Sequence, residues 1–222
     1  MSGAIAIFAK TPGLTPAKTR LAAAVGTSAA EAFYRLALKA VEATVAAVLD
    51  RHPGWTARWA VAEPHGVNDP RWAGFGARHT GDGGLGTRMA RVYEHLRQDH
   101  GRALLIGTDT PQMTSRHLDA AIDALAGDDL VIGPASDGGF WLVGGRVPIR
   151  EEVWTRPRYS GPCARGDLLA ALAATGLPQP ASLATLTDVD EIADLAVMLA
   201  EMPRAPGPAQ AACIAWARPF VG

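Results

Sequence analysis

The sequence predicts an α/β fold with a largely parallel sheet covered on both faces by helices. Three observations carry this expectation. Short apolar runs recur at residues 4–9, 55–62, 102–107, 130–134 and 140–144. Most are separated by longer segments with helical periodicity, the pattern of strand–helix–strand units. The 222 residues, 48% hydrophobic and 19% charged, suit one domain with a full core.

The elements follow in order. Residues 4–9 (Ala-Ile-Ala-Ile-Phe-Ala) read as a buried strand. Residues 10–19 form a Pro/Gly loop carrying Lys10 and Lys18, with Arg20 just beyond. Residues 28–49 form a long Ala-rich helix, with Ser28 as N-cap and Glu31 completing a capping box. Residues 55–62 are a second strand and 72–79 a weaker third. Residues 87–98 are helical, and 102–107 form the clearest central strand. Thr114 caps a helix over 115–126. Strands at 130–134 and 140–144 flank a turn at Asp137-Gly138-Gly139. Residues 166–175 and 191–202 are helices. Residues 203–222 contain Pro203, Pro206, Pro208 and Pro219 and read as an irregular strap. The expected organisation is therefore one domain, 1–202, with a Pro-rich tail, 203–222.

Composition excludes several classes. A net charge of −1 offers no surface for nucleic acid or anionic membrane. No run approaches the roughly 20 apolar residues of a membrane span. The chain opens directly on a strand, with no basic-then-apolar leader. Cys163 and Cys213 stand far apart and make neither a metal knuckle nor a disulfide framework. A reducing cytoplasm is the expected compartment. No Gly-x-Ser-x-Gly or His-Glu-x-x-His occurs, and His95 and His117 read as helix-surface residues.

Four stretches could carry chemistry. The central strand ends as Leu104-Leu105-Ile106-Gly107-Thr108-Asp109-Thr110-Pro111. Ligands of open α/β sheets sit outside the carboxyl ends of the strands. An Asp there either holds a hard cation against a phosphate or caps the next helix. The loop after the first strand, Phe8-Ala9-Lys10-Thr11-Pro12-Gly13 followed by Lys18-Thr19-Arg20-Leu21, gathers three cations. It is either a phosphate cradle or a solvated basic loop, and it is not a Walker loop. Gly81-Asp82-Gly83-Gly84-Leu85-Gly86 matches Gly-x-Gly-x-x-Gly. The residues before it make a poor buried strand, so a dinucleotide site is disfavoured. A glycine loop opening a helix, with Arg88 on its first turn, still suits the approach of a nucleotide. Finally, Asp188-Val189-Asp190 opens the last helix, one carboxylate for a metal and the other for a cap, and Asp137-Gly138-Gly139-Phe140-Trp141 makes either an acceptor wall or a plain hairpin turn.

Together, Phe8-Ala9-Lys10-Thr11-Pro12, Lys18-Thr19-Arg20-Leu21, Leu85-Gly86-x-Arg88-Met89, Ile106-Gly107-Thr108-Asp109-x-Pro111, Gly133-Pro134-Ala135-x-Asp137-Gly138-Gly139-Phe140-Trp141-Leu142 and Asp188-Val189-Asp190 resemble a bacterial transferase family. Its members are described as radical-SAM/selenodomain-associated or arsenosugar-biosynthesis glycosyltransferases. The Lys-Thr-Arg-Leu stretch also resembles phospholactate guanylyltransferases. The likeness runs from about Ile5 to Leu195. It departs from the family at Glu191-Ile192-Ala193, where Thr-Pro-Glu is common, and at Trp154-Thr155-Arg156, where Trp-Ser-Thr is common.

The resemblance implies the nucleotide-diphospho-sugar transferase (GT-A) fold, a Rossmann-like α/β/α sandwich with a mixed, mainly parallel sheet. It implies Mg²⁺ (or Mn²⁺) on Asp109 and Asp190. It sets Lys18 and Arg20, with Asp109, as catalytic, and Phe8, Ala9, Lys10, Thr11, Lys18, Gly84, Leu85, Gly86, Arg88 and Thr108 around the nucleotide. Asp137, Gly138, Gly139 and Trp141 fall to a small-molecule acceptor. The donor is a nucleotide-sugar in glycosyl transfer or a nucleoside triphosphate in nucleotidyl transfer. A non-catalytic nucleotide-binding module is the remaining alternative.

Overall fold

Alternation along the first strand sets both faces of the sheet. In the computed structural model, which describes residues 2–159 and 161–221, this strand is β1 (Gly3–Ala9). Ile5 and Ile7 enter one core cluster, and Ala4 and Ala6 enter another. Side chains on a strand alternate between faces, so the bulky residues meet one helical layer and the small ones let the other layer approach.

The remaining strands are β2 (Trp55–Val61), β3 (Ala77–His79), β4 (Ala103–Ile106), β5 (Leu130–Pro134), β6 (Phe140–Gly145) and β7 (Ala181–Ser182). Their order is β3-β2-β1-β4-β6-β5-β7. β1 lies parallel to both β2 and β4, β2 to β3, and β5 to β7. β6 runs antiparallel to β4 and β5. The sheet is therefore mixed and mainly parallel, as expected. β6 owes its direction to the tight turn at Asp137–Gly139, because a short turn can join only antiparallel neighbours.

The helices are α1 (Thr19–Val25), α2 (Thr27–Leu49), α3 (Leu85–His100), α4 (Ser115–Gly127), α5 (Glu151–Thr155), α6 (Ala164–Ala174), α7 (Asp194–Glu201) and α8 (Pro208–Ala217). Leu38, Val41 and Val45 of α2 and Leu118, Ile122 and Leu125 of α4 pack with Ile5, Ile7, Leu104 and Ile106 on one face. Met89, Tyr93, Leu96, Trp154 and Leu168 cover the other face. No helix among the described residues is long and apolar enough to cross a membrane.

Several elements differ from the sequence expectation. The basic loop ends in a helix, α1, which a glycine at +86° φ separates from α2. That glycine, Gly26, is the N-cap of α2, and Ser28 lies inside the helix without capping it. β3 is only three residues long, because residues 70–72 form a 3-10 turn capped by Asp69. His117 is half-buried rather than a surface residue, and its ring accepts the Thr114 N–H at the start of α4 at 3.0 Å.

The largest correction concerns residues 203–222. They hold the helix α8, not an irregular strap. Pro208 stands at the first turn, where its missing N–H costs nothing, and the run after it is rich in Ala. Cys213 and Ala217 of α8 join Leu21, Phe33, Val189, Leu195 and Met198 in a third core cluster. Phe33 stacks on Trp216 with ring centroids 4.7 Å apart.

Replacing Phe33 with Ala tests whether α8 belongs to the core. Phe33 is fully buried, so the expected cost is about 3–5 kcal/mol in urea unfolding. A loss under about 1 kcal/mol, the scale of a surface change, would mean that α8 does not pack as described.

Candidate functional site

The chain leaves β1 at Ala9 and turns at once. Tyr34 of α2 pins the turn: its hydroxyl accepts the Lys10 N–H at 2.9 Å and donates to the Lys10 carbonyl at 3.0 Å. Burial first, and then the charge of Asp109, push the Tyr34 pKa upward, so the phenol keeps its proton. Thr11 N–H donates to Glu63 at 2.7 Å, and Arg71 donates to the Pro12 carbonyl at 3.2 Å. The basic loop is thus held along its length.

Lys18 closes that loop with a φ of +55°, the one positive value at a non-glycine among the described residues. Its side chain is 2% exposed, and Nζ lies 2.5 Å from Asp109 Oδ1 and 3.4 Å from Asp190 Oδ1. Nζ also donates to the Val189 carbonyl. An ammonium has three protons to give, and these acceptors take all of them. Burial works against the charge, but Asp109 and then Asp190 outweigh it and raise the Lys18 pKa.

The two aspartates come from separate loops. Asp109 follows β4, and Asp190 follows β7. Val189 N–H donates to the Asp109 carbonyl at 2.8 Å, which sets the loops side by side. Asp190 Oδ2 takes Arg20, whose side chain is 62% exposed, and Arg20 also reaches Glu191 at 3.2 Å. Asp190 therefore has both oxygens engaged, whereas one Asp109 oxygen has no partner among the described residues. The N-terminal turn of α7 is held by Asp194, which accepts from the N–H groups of Asp190 (2.9 Å) and Glu191 (2.7 Å). Neither Asp188 nor Asp190 caps that helix, so the expected division of labour between them is not found. Asp188 is half-buried and accepts no hydrogen bond among the described residues. Burial, followed by the charges of Asp109 and Asp137, pushes its pKa well above the ordinary 3.8.

These groups line a cavity of about 790 Å³. It opens where β1 and β4 lie side by side, the point at which strand order reverses and where open α/β sheets bind ligands. Of the residues expected from sequence, Phe8, Ala9, Lys10, Lys18, Arg20, Leu85, Arg88, Thr108, Asp109, Asp137, Gly139, Trp141 and Asp190 border it. Four others do not. Thr11 is buried beneath the loop, and Gly84 lies off the wall. Gly86 is needed where α3 crosses α5, because a Cβ there would collide with the Trp154 carbonyl. Gly138, at a φ of +89°, passes too close to the Pro162 carbonyl for any side chain. Trp141 touches the cavity but is 2% exposed, and its indole donates to the Ala184 carbonyl at 3.0 Å. It serves mainly the core.

Sequence reasoning missed Tyr34 and Tyr159. Tyr34 sits mid-helix with only periodicity to describe it. Phe140 and Tyr159 meet edge to face with centroids 6.2 Å apart and share the cavity wall. Nothing in the sequence pairs positions 140 and 159.

The cavity wall carries Lys10, Lys18, Arg20 and Arg88 against Asp109, Asp137, Asp188 and Asp190. Lys10 and Arg88 have no carboxylate partner among the described residues. Lys10 Nζ donates to the Pro16 carbonyl at 3.0 Å and Arg88 Nε to the Gly83 carbonyl at 2.9 Å. No three His, Cys, Asp or Glu side chains among the described residues converge to hold a metal alone. A Mg²⁺ ion does not require that, since it commonly takes one or two carboxylates and completes its shell with water and substrate phosphates. The free Asp109 oxygen and the unpartnered Asp188 fit such a shared site.

Comparison with known proteins gives the following. Residues 35–161 match a bacterial family described as "Uncharacterized protein conserved in bacteria (DUF2064)". No protein of curated function matches the chain. A candidate nucleotide-diphospho-sugar transferase from Desulfovibrio desulfuricans G20 is similar over 99% of both chains, with 24% identity and a TM-score of 0.83. CMP:2-keto-3-deoxy-manno-octonic acid synthetase complexed with CTP aligns over 90% of this chain and 100% of its own, with 16% identity and a TM-score of 0.51. Rv0371c from Mycobacterium tuberculosis H37Rv aligns over 90% and 99%, with 15% identity and a TM-score of 0.52. At these identities the likeness is one of fold: the chain has the architecture of nucleotide-diphospho-sugar transferase-like proteins.

Asp188 makes the site's electrostatics testable. Its folded-state pKa stands above 3.8, so between those values the folded chain holds a proton that the unfolded chain has released. Stability therefore falls as pH rises through that window. The Asp188→Asn variant removes this loss. Its melting temperature should equal that of the native protein below about pH 4 and exceed it increasingly as the pH rises above that. A difference that does not change with pH would show that Asp188 ionises normally.

Proposed function

The chain belongs to the DUF2064 family, and from that premise we propose that it is a Mg²⁺-dependent (or Mn²⁺-dependent) nucleotide-utilising transferase. In this proposal it moves a sugar from a nucleotide-sugar to a small-molecule acceptor. The observation that carries the proposal is the wall of one cavity, where four carboxylates face four cations and part of each set lacks an oppositely charged partner among the described residues. A metal–diphosphate group carries both signs and would satisfy both sets.

The roles follow from the contacts. Asp109 offers its free oxygen to the metal, and Asp190 lies beside it across Lys18. When bound, Mg²⁺ would neutralise charge gathering on a departing diphosphate. Lys18 holds the two carboxylates together instead of reaching over the cavity. Phosphate contact then falls to Lys10, to Arg88 and to Arg20, which is exposed enough to leave Asp190 for a phosphate oxygen. Leu85 and Met89 at the start of α3, with Phe8, make an apolar wall for base or ribose. Phe140 and Tyr159 offer aromatic surface, Asp137 a carboxylate, and both suit a sugar ring with its hydroxyls.

Nucleotidyl transfer is the second reading, favoured by a fold shared with a synthetase that was solved with CTP. There an acceptor oxygen attacks the α-phosphorus of a nucleoside triphosphate and pyrophosphate leaves. Cations placed around a triphosphate suit that step too. The two reactions differ in product, nucleoside diphosphate in one and pyrophosphate in the other.

A thermal-shift panel of nucleoside triphosphates and nucleotide-sugars, with and without Mg²⁺, tests the proposal. A ligand at about 100 times its dissociation constant adds about 2.7 kcal/mol, a readable shift. A Mg²⁺-dependent shift with a nucleotide-sugar and its diphosphate supports glycosyl transfer, and one with a triphosphate supports nucleotidyl transfer. In Asp109→Asn the shift should vanish while the unliganded protein still melts cooperatively. If Asp109→Asn kept the shift, or no nucleotide gave one, the proposed site would be wrong.

A further inference from the structure

The loop bearing Asp188 and Asp190 is held by a polar network that the proposed chemistry does not use. Gln112, three residues beyond Asp109, is fully buried. Its amide gives one proton to the Thr187 carbonyl at 2.7 Å and one to Glu201 Oε2 at 2.8 Å. Glu201 also accepts from the Thr187 N–H at 3.0 Å and from the Thr187 hydroxyl at 2.9 Å. Every polar group of Thr187 is thereby fixed by Gln112 or Glu201. The same amide leaves its Oε1 buried without a partner.

Glu201 ends α7, and Asp194 begins it. Asp194 holds Asp190 and Glu191 through their N–H groups, and Glu201 holds Thr187. An eight-residue helix is about 12 Å long. It grips the aspartate loop at both ends and acts as a splint. Gln112 joins that splint to the Asp109 loop. From below, Gln210 of α8 donates to the carbonyls of Pro111 (3.3 Å) and Met113 (3.1 Å), and Thr44 donates to Met113 (3.1 Å).

We propose that Gln112 and Glu201 are positioning residues, which set the separation of Asp109 from Asp188 and Asp190 through Thr187 and so tune the affinity of the site for a divalent cation. The proposal rests on the metal reading above. Loss of a hydrogen-bond partner that orients a metal ligand typically costs about 10–100-fold in metal affinity. Glu201→Gln exchanges a charged acceptor for a neutral amide: the bond to the Thr187 hydroxyl must reverse its direction or be lost, and the bonds from the Thr187 N–H and the Gln112 amide lose their charge assistance. Thr187→Val deletes only the hydroxyl and keeps the shape.

The test is Mn²⁺ binding in the presence of inorganic pyrophosphate, which needs no knowledge of the base. Free Mn²⁺ is read by electron paramagnetic resonance, at a temperature where circular dichroism shows each variant folded. Asp109→Asn should abolish binding. Glu201→Gln and Gln112→Ala should each weaken it by about tenfold or more, and Thr187→Val by a smaller factor in the same direction. Tyr93→Phe breaks a buried hydrogen bond to Val147 away from the cavity (2.7 Å), and it should leave the affinity unchanged whatever it does to the melting temperature. If Glu201→Gln proves unfolded, Thr187→Val and Gln112→Ala decide. Native affinity in these variants, with binding lost in Asp109→Asn, overturns the positioning role and leaves the metal site standing. Equal weakening by Tyr93→Phe also overturns it, as a general effect of destabilisation. Binding that survives Asp109→Asn, or is absent from the native protein, overturns the metal reading and this proposal with it.

Discussion

The Lys18 ammonium is the interaction on which the site depends. It joins the loop after the first strand to carboxylates from two later loops, one of them 172 residues away in sequence. Without a cation there, Asp109 and Asp190 would face each other across a half-buried gap, and like charges that close raise one another's pKa. The strained backbone at Lys18 is intelligible in this light: a left-handed residue puts the side chain inward just before α1 begins. Asp109 and Asp190 remain 40% and 30% exposed. Solvent therefore screens the pairs, and their effect is geometric more than stabilising.

The sheet delivers the partners of Lys18 to one place. β1 and β4 are adjacent and parallel, so the loops after them emerge at the same edge. The chain runs from β1 outward through β2 to β3, and from β4 to the other side. Loops on the two sides therefore part between β1 and β4 and leave a crevice. β6 enters antiparallel beside β4, and the tight turn that reverses it carries Asp137 to the same edge. Glycines at 86 and 138 serve this arrangement by close packing, against the carbonyls of Trp154 and Pro162.

How much of this was legible in the sequence depends on range. β1, β4 and β5 announce themselves as short apolar runs, and Asp109 stands out because an acid ends the most apolar of them. The basic loop and Asp190 were found by residue type and order. What escaped is what depends on distant partners. Residues 19–25 look like loop until Gly26 is seen to end one helix and start another. The helix at 208–217 was hidden by the prolines around it, although one of them favours its first turn. Trp141 looked like a site residue, but Ala184, far along the chain, takes its indole proton. Lys18 was expected over phosphates, and only the fold shows that two carboxylates claim it. Gln112, Thr187 and Glu201 are ordinary polar residues until three loops meet.

The charges that stay unpaired carry the most functional information. This chain can neutralise a buried cation fully, as Lys18 demonstrates. It nonetheless leaves Asp188 without a donor among the described residues, in a desolvated position near Asp109, Asp137 and Asp190. On the same wall Lys10 and Arg88 rest on backbone carbonyls and form no ion pair among the described residues. A fold selected for stability alone would pair or replace Asp188, because a desolvated polar group without a partner is costly. Such a group is retained where something outside the chain completes it. A ligand of one sign would satisfy only half the wall. A simple anion site would need the cations and be repelled by the carboxylates, and a simple cation site the reverse. The proposed ligand, a metal bound to a phosphate chain, would meet both demands at once.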